Sequence, residues 1–390
     1  MVDVASVIDI CYDFRKKGTA VMELGCTKKL LEYLGVKPEK GSAEIDPLFG
    51  WTANLIVVNR RKMLVAVHRA SRCAFVLYGL TAKVLPRLPE LLLDGIRGLL
   101  QSEYVCPEII EQYLDDLGRE VVYHANSDRK AVAGCNKVCG RIQMLPELFE
   151  AGDLYQHRVL PYLNDEPLPG SRYVLAHEAL ITKLKERYGE NVQSCRALEL
   201  EVSLELHTPC KRRIIVPDDL NFCHFHYVLQ HCFEWKNNHL HQFVAEVDEA
   251  GYAAQVIHPG WNETEGWANA QVLDSTKVTL REIFVSRKQI VYEYDFGDGW
   301  MHTIELCRVI GDCTEPYPHC VMAIGDAPME DCGGPDGFRQ VLAVLKDKKH
   351  PEHQETLEWI RSTWWQPLDV ERINTMIRNI RRRMTYLWLG

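Results

Sequence analysis

Residues 198–206 alternate without a break. Leu198, Leu200, Val202, Leu204 and Leu206 are apolar, and Glu199, Glu201, Ser203 and Glu205 lie between them. A period of two places the apolar set on one face, so the segment predicts a half-buried strand. From about Leu220 the period changes. Phe225, Val228, Leu229, Cys232 and Phe233 recur at the spacing of a core-facing helix. A strand is expected over 239–247, and two more over 289–295 and 300–309, joined across Phe296, Gly297, Asp298 and Gly299. The aromatic- and glycine-rich stretch 251–272 reads as a long loop, and helices are expected over 336–347, 351–361 and 369–384.

The first half shows the same mixture. Leu30, Leu31 and Leu34 mark a short helix with Thr27 at its N-cap and Gly35 as its stop. Strands are expected over 53–58, 63–68 and 73–78, the first two joined by the polar turn 59–62. Helices over 82–100 and 107–117, a short strand over 120–123 and a helix near 129–138 complete it. Pro161, Pro167, Pro169 and Gly170 punctuate a polar stretch before a helix over 174–188. The layout is an appendage at 1–21, a domain at 22–160, a linker with a helix at 161–195 and a second domain at 196–390. The fold class is α+β, two domains, each a mostly antiparallel sheet with helices packed on it.

With 390 residues there is length for two or three cores. The 46% hydrophobic and 25% charged content excludes a mostly disordered chain. No apolar run is long enough for a membrane span, and the acidic start is unlike a secretory signal, so the expectation is a cytosolic protein without membrane attachment. Lys and Arg total 45 against 54 Asp and Glu, a formal charge of −9. That balance disfavours wrapping nucleic acid but leaves room for a local basic patch. The 14 cysteines, with no export signal, read as reduced thiols or metal ligands.

Candidate chemistry gathers in the second half. A two-residue turn at Asp298–Gly299 would place Gly297 opposite Trp300, Phe296 opposite Met301 and Asp295 opposite His302. His239 and His241, two apart in an extended segment, would share a face. His239, His241, Asp295 and His302 are therefore the candidate ligands of a divalent ion such as zinc or manganese. Glu330 and Asp331, on a glycine-hinged loop, are candidates to activate water.

Plainer readings stand beside each of these. Asp298 serves as a turn residue, Asp295 and His302 as a cross-strand pair, the histidines as core groups, and the two acids as caps for the helix near Pro335. Cys307, Cys313, Cys320 and Cys332 with His319 fit no standard zinc spacing, and Cys135 and Cys139 suit two core positions one helical turn apart. Arg378, Arg381, Arg382 and Arg383 offer a nucleic-acid contact, or a complement to a helix C-terminus. Phosphate-loop, dinucleotide and serine-hydrolase fingerprints are absent.

The second half resembles the plasmid pRiA4b ORF-3-like family. The likeness rests on Arg212-Arg213-Ile214, Trp235 with His239-Leu240-His241-Gln242-Phe243, Tyr292 through Trp300 with His302, and Ala327-Pro328 with Glu330 through Pro335. Lys211, Glu234 and Met329 depart from the family's usual Trp, Gly and Pro. The resemblance implies an α+β fold and a bacterial mobile-element or phage setting, and it implies no reaction. The first half, through Cys26–Leu30, Trp51, Asn54, Asp128, Arg129 and Gly134, resembles an uncharacterised bacterial domain. The expected function is a binding module whose aromatic, histidine and acidic pocket is lined by Trp235, Asp298, Trp300, Arg212 and Arg213 beside the ligands above. It would take a divalent metal, a nucleotide or a partner segment. The alternatives are a metal-dependent phosphodiester hydrolase and a nucleic-acid-binding accessory protein.

Overall fold

A computed structural model describes residues 20–41, 46–168, 170–171, 174–245, 253–257, 270–363 and 365–383. Most of the appendage expected at 1–21 lies outside them. The chain divides into two compact units, Met1–Gln193 and Ser194–Gly390.

In the first unit, β1 (Val21–Cys26), α1 (Lys28–Leu34), β2 (Trp51–Val58), β3 (Arg61–His68) and β4 (Ala74–Tyr78) are followed by α2 (Leu88–Ser102), α3 (Pro107–Leu117), β5 (Glu120–Ala125), α4 (Arg129–Met144), α5 (Leu160–Leu163) and α6 (Ala176–Tyr188). The sheet order is β4-β3-β2-β1-β5. The β2–β3–β4 meander is antiparallel, and the polar turn expected at 59–62 is shorter, with only Asn59 and Arg60 outside the ladder. Both turn residues have positive φ, 47° and 61°, the conformation a tight hairpin needs. β1, a strand absent from the sequence expectation, joins β2 and β5 in parallel. Thr27 holds the N-cap position of α1 as expected, but its hydroxyl donates to Asn54 Oδ1 at 2.8 Å instead of capping the helix. Ala176, Leu180, Ile181 and Leu184 of α6 are buried in this unit's core, which assigns that helix to it.

The second unit runs β6 (Cys195–Leu204), β7 (Cys210–Pro217), α7 (Phe222–Cys232), β8 (His241–Ala245), β9 (Ala253–Ile257), β10 (Ala270–Asp274), α8 (Leu280–Phe284), β11 (Gln289–Tyr294), β12 (Trp300–Cys313), β13 (His319–Ile324), α9 (Gly334–Lys346), α10 (His353–Thr363) and α11 (Val370–Ile377). Its eight-stranded sheet has the order β10-β9-β8-β11-β12-β6-β7-β13. Every pairing except β9–β10 is antiparallel. The stretch expected to be a loop at 251–272 thus contributes two strands, with 258–269 outside the described residues.

The alternation in β6 does what its period requires. Leu198, Leu200, Val202 and Leu204 enter the core with Phe225, Val228, Leu229 and Cys232 of α7. Glu199 and Glu201 lie on the opposite face of the sheet and pair with Arg308, Lys211 and Arg213, which cover Glu199. α11 ends at Ile377, earlier than expected, and the arginines beyond it lie around a single 3-10 turn, Ile380–Arg382.

Candidate metal centre

The β11–β12 hairpin has a longer loop than a two-residue turn. Tyr294 opposes Trp300 and Tyr292 opposes His302, so Asp295–Gly299 forms the connection and the expected Asp295–His302 pair does not exist. Asp295 ends the ladder because it adopts a left-handed conformation, φ 56°. Its Oδ1 accepts from the N–H groups of Gly297 (3.0 Å) and Asp298 (3.3 Å), and its carbonyl accepts from Gly299 N–H at 2.6 Å. An aspartate that hydrogen-bonds its own following backbone stabilises such a turn. With Oδ1 committed, Oδ2 is the oxygen that faces His239, 3.6 Å from Nε2.

His239 sits in the irregular segment between α7 and β8, which is pinned on several sides. Trp235 Nε1 donates to the Pro328 carbonyl (2.9 Å), Asn237 N–H to Gln230 Oε1 (2.8 Å) and Asn238 N–H to the Tyr294 hydroxyl (3.1 Å). Asp331 comes from the loop before α9, again with positive φ, 61°. That loop is tied to the hairpin by Gly333 N–H donating to Asp298 Oδ2 at 3.1 Å. Asp331 Oδ1 stands 3.1 Å from His239 Nε2.

Three ligand atoms, His239 Nε2, Asp295 Oδ2 and Asp331 Oδ1, therefore lie within 4.8 Å of one another, on three different loops. His239 Nε2 is buried and makes no hydrogen bond, although Asp331 Oδ1 stands 3.1 Å and Asp295 Oδ2 3.6 Å from it. Asp295 is 10% exposed at its side chain and Asp331 69%, so the group is closed on the protein side and open toward Asp331. Atoms bound at about 2.1 Å to one ion are separated by about 3.0–3.5 Å in octahedral or tetrahedral geometry. The His239–Asp331 separation of 3.1 Å falls within that spacing, and the His239–Asp295 separation of 3.6 Å lies just beyond it.

The other expected ligands point elsewhere. The slip from strand to bend at His239 breaks the shared face, and His241 turns into the core, its ring stacked on His226 at 3.5 Å and 7°. His302 is fully buried between Phe233, Trp235 and Tyr292. Its Nδ1 lies 3.2 and 3.1 Å from the Tyr292 and Trp300 carbonyls, which can only accept, so the ring proton is on Nδ1. Burial lowers the His302 pKa to about 3, with Arg212 adding to the shift and the two carbonyls opposing it.

Glu330 is also outside the group. It accepts from Lys236 N–H (3.2 Å), Asn238 Nδ2 (3.3 Å) and the Tyr294 hydroxyl, bracing the segment that carries His239. Burial, and next the Glu330 carboxylate, raise the Tyr294 pKa far above its ordinary value.

The expected pocket walls are packing elements. Trp235 stacks on Tyr294 at 4.9 Å, Trp300 is fully buried, and Asp298 anchors the Gly333 turn. Arg212 is fully buried and donates to the carbonyls of Cys232, Lys211, Ile324 and Gly325, while Arg213 belongs to the charged outer face of the sheet with Glu201. Arg378 covers the Tyr317 ring, Arg381 lies 3.4 Å from Asp219, and Arg383 Nη1 lies 3.1 Å from His231 Nε2. Asp331, expected on its glycine-hinged loop as a group to activate water, is set opposite His239 by the folded loop.

Residues 196–375 match the family model described as "Plasmid pRiA4b ORF-3-like protein", and residues 23–179 match "Domain of unknown function (DUF6933)". An uncharacterised protein, y4hQ, of Sinorhizobium fredii is 32% identical over 169 residues, covering 43% of this chain and 81% of the relative. The crystal structure of a protein of unknown function, MM3350, from Methanosarcina mazei Go1 is 27% identical, with a TM-score of 0.40 over 45% of this chain and 96% of that one.

Proposed function

The chain belongs to the plasmid pRiA4b ORF-3-like family through its second unit, and since that description names no reaction, we propose a function from the site itself. The second unit is a binding module centred on one divalent cation held by His239 Nε2, Asp295 Oδ2 and Asp331 Oδ1. The observation that carries this reading is the buried His239 Nε2, which lacks a hydrogen bond and faces two carboxylate oxygens at 3.6 and 3.1 Å. A buried imidazole nitrogen without a partner is costly, and a metal ion would satisfy it together with both negative charges. One imidazole with two carboxylates suits zinc or manganese. Bound there, the ion would supply Lewis acidity and positions open to a ligand's oxygens on the Asp331 side. The family's plasmid origin supports a mobile-element setting for the module.

Binding is favoured over hydrolysis because the groups a hydrolase would use are already engaged. Glu330 accepts three hydrogen bonds in the scaffold, and Asp331 belongs to the ligand set itself. Elemental analysis of protein purified without a metal-affinity tag, followed by titration of the chelated protein with Zn²⁺ and Mn²⁺, tests the reading. About one ion per chain, lost in a folded His239→Ala variant, is expected. An equal metal content in wild type and variant would overturn it.

A further inference from the structure

The first unit holds a separate polar cavity of about 700 Å³ at the carboxyl ends of β1 and β5, lined in part by Gly41, Asp46, Arg69, His124, Asn126 and Asp128. Three adjacent strands place Thr52, Gly25 and His124 side by side in one row. Gly25 contributes no side chain, and Arg69 fills the gap. A Cβ at Gly25 would stand 2.5 Å from Arg69 Nη2 and 3.2 Å from the Asn126 side chain.

Arg69 is held in place along its inner edge. Its Nε donates to the Trp51 carbonyl and to Thr52 Oγ1, both at 3.2 Å, and its Nη2 lies 3.3 Å from His124 Nε2. His124 Nδ1 faces the Ala125 carbonyl at 3.3 Å, an acceptor only, so Nδ1 carries the proton and Nε2 accepts from Arg69. Thr52 and His124 are themselves buried. Among the described residues no carboxylate forms an ion pair with the Arg69 guanidinium, although Asp128 and Glu23 act on it through space and Glu23 Oε2 lies 3.9 Å from His124 Nε2. Partial burial of a cation without a direct countercharge is unfavourable for an empty fold and favourable for an anion-binding one.

Among the described residues the guanidinium edge at Nη1 has no protein partner, and a planar fork of this kind matches a planar two-oxygen anion. The rim also carries Glu39, Asp46 and Asp128 against the single cation Lys40, and this acidic excess opposes a dianion such as phosphate and favours a cationic group elsewhere on the ligand. Asp128 caps α4 by accepting from Lys130 and Ala131 N–H groups, so its charge is fixed at the cavity edge. We propose that the first unit binds a small carboxylate-bearing molecule in this cavity, with the carboxylate on Arg69 and an amino group toward the acidic rim. The site lies within the first unit and is independent of the metal centre.

Calorimetric titration of the full chain with acetate, glutamate and inorganic phosphate tests this. Saturable binding of glutamate at roughly millimolar affinity or better is expected, tighter than acetate and tighter than phosphate. Gly25→Ala should weaken it by about tenfold or more, since the new methyl displaces the guanidinium without disturbing the strand. Arg69→Gln should abolish it. Absence of saturable binding by wild type overturns the proposal, as does binding that Gly25→Ala and Arg69→Gln leave unchanged. Preference for phosphate overturns the carboxylate assignment.

Discussion

The backbone N–H of Asp295 donates to the carbonyl of Leu240 at 2.8 Å, and this bond ties the β11–β12 loop to the segment carrying His239. Asp295 can reach Leu240 because its left-handed backbone ends the hairpin ladder after Tyr294. The same turn aims Oδ2 at His239. The proposed metal centre thus depends on loops held together by backbone bonds, and variants that disturb those bonds should be felt there.

Gly334 is one such position. Its φ is 70°, and an added Cβ would meet the Asp298 carbonyl at 2.5 Å. Gly334→Ala should push the Asp331 loop away from the hairpin, at a cost of about 1–3 kcal/mol in stability. Metal affinity, measured by titration, should fall by roughly tenfold or more. Unchanged affinity in this variant would separate Asp331 from the ion.

Glu330 acts as a brace. Glu330→Ala removes the acceptor of the Lys236, Asn238 and Tyr294 donors, of which only the Tyr294 hydroxyl is partly buried, and should cost about 1–2 kcal/mol in urea unfolding. Glu330→Gln, which retains one acceptor oxygen, should cost less. Equal losses in the two variants would speak against the bracing role.

Arg212 is an interior cation whose guanidinium serves four carbonyls. Arg212→Leu should destabilise the second unit by about 3–5 kcal/mol, because those acceptors stay buried when their donor is removed. A loss below about 1 kcal/mol in denaturant unfolding would show that the carbonyls find other donors.

Acid should weaken the second unit through its buried histidines. Burial lowers the pKa of His302 to about 3 and of His224 to about 4, below the ordinary 6.5. The unfolded chain therefore binds more protons than the folded one between these values. Stability is fully present above about pH 6.5 and is lost as pH falls toward 4. Each histidine contributes a slope of up to about 1.4 kcal/mol per pH unit. Urea unfolding of His302→Gln at pH 5 and 7 should show a shallower dependence than wild type; an identical slope would contradict this assignment.

Much of the fold was legible because the periods were clean. The alternation at 198–206 and the stripe from Phe225 to Cys232 each placed their apolar residues in the core. β1 escaped notice because its six residues, Val21–Cys26, lie between two parallel neighbours, β2 and β5, in a mixed sheet, where a segment is buried without strict alternation. The site was half legible. His239 was singled out by its spacing from His241, and Asp295 and Asp331 by residue type beside the glycines of a hairpin turn and a hinged loop. The partnership of His302 with Asp295 failed because counting from Asp298-Gly299 assumed a two-residue turn, whereas the Asp295 side chain caps a longer loop. His241 failed for a related reason, since the strand begins only after Leu240 and the bend at His239 turns the two rings apart.

The most direct test of the central claim is a crystal soaked in manganese or zinc, with the ion located by anomalous scattering. The account predicts one peak about 2.0–2.2 Å from His239 Nε2 and from carboxylate oxygens of Asp295 and Asp331. A peak held by other residues, with His239 Nε2 still unligated, would contradict it.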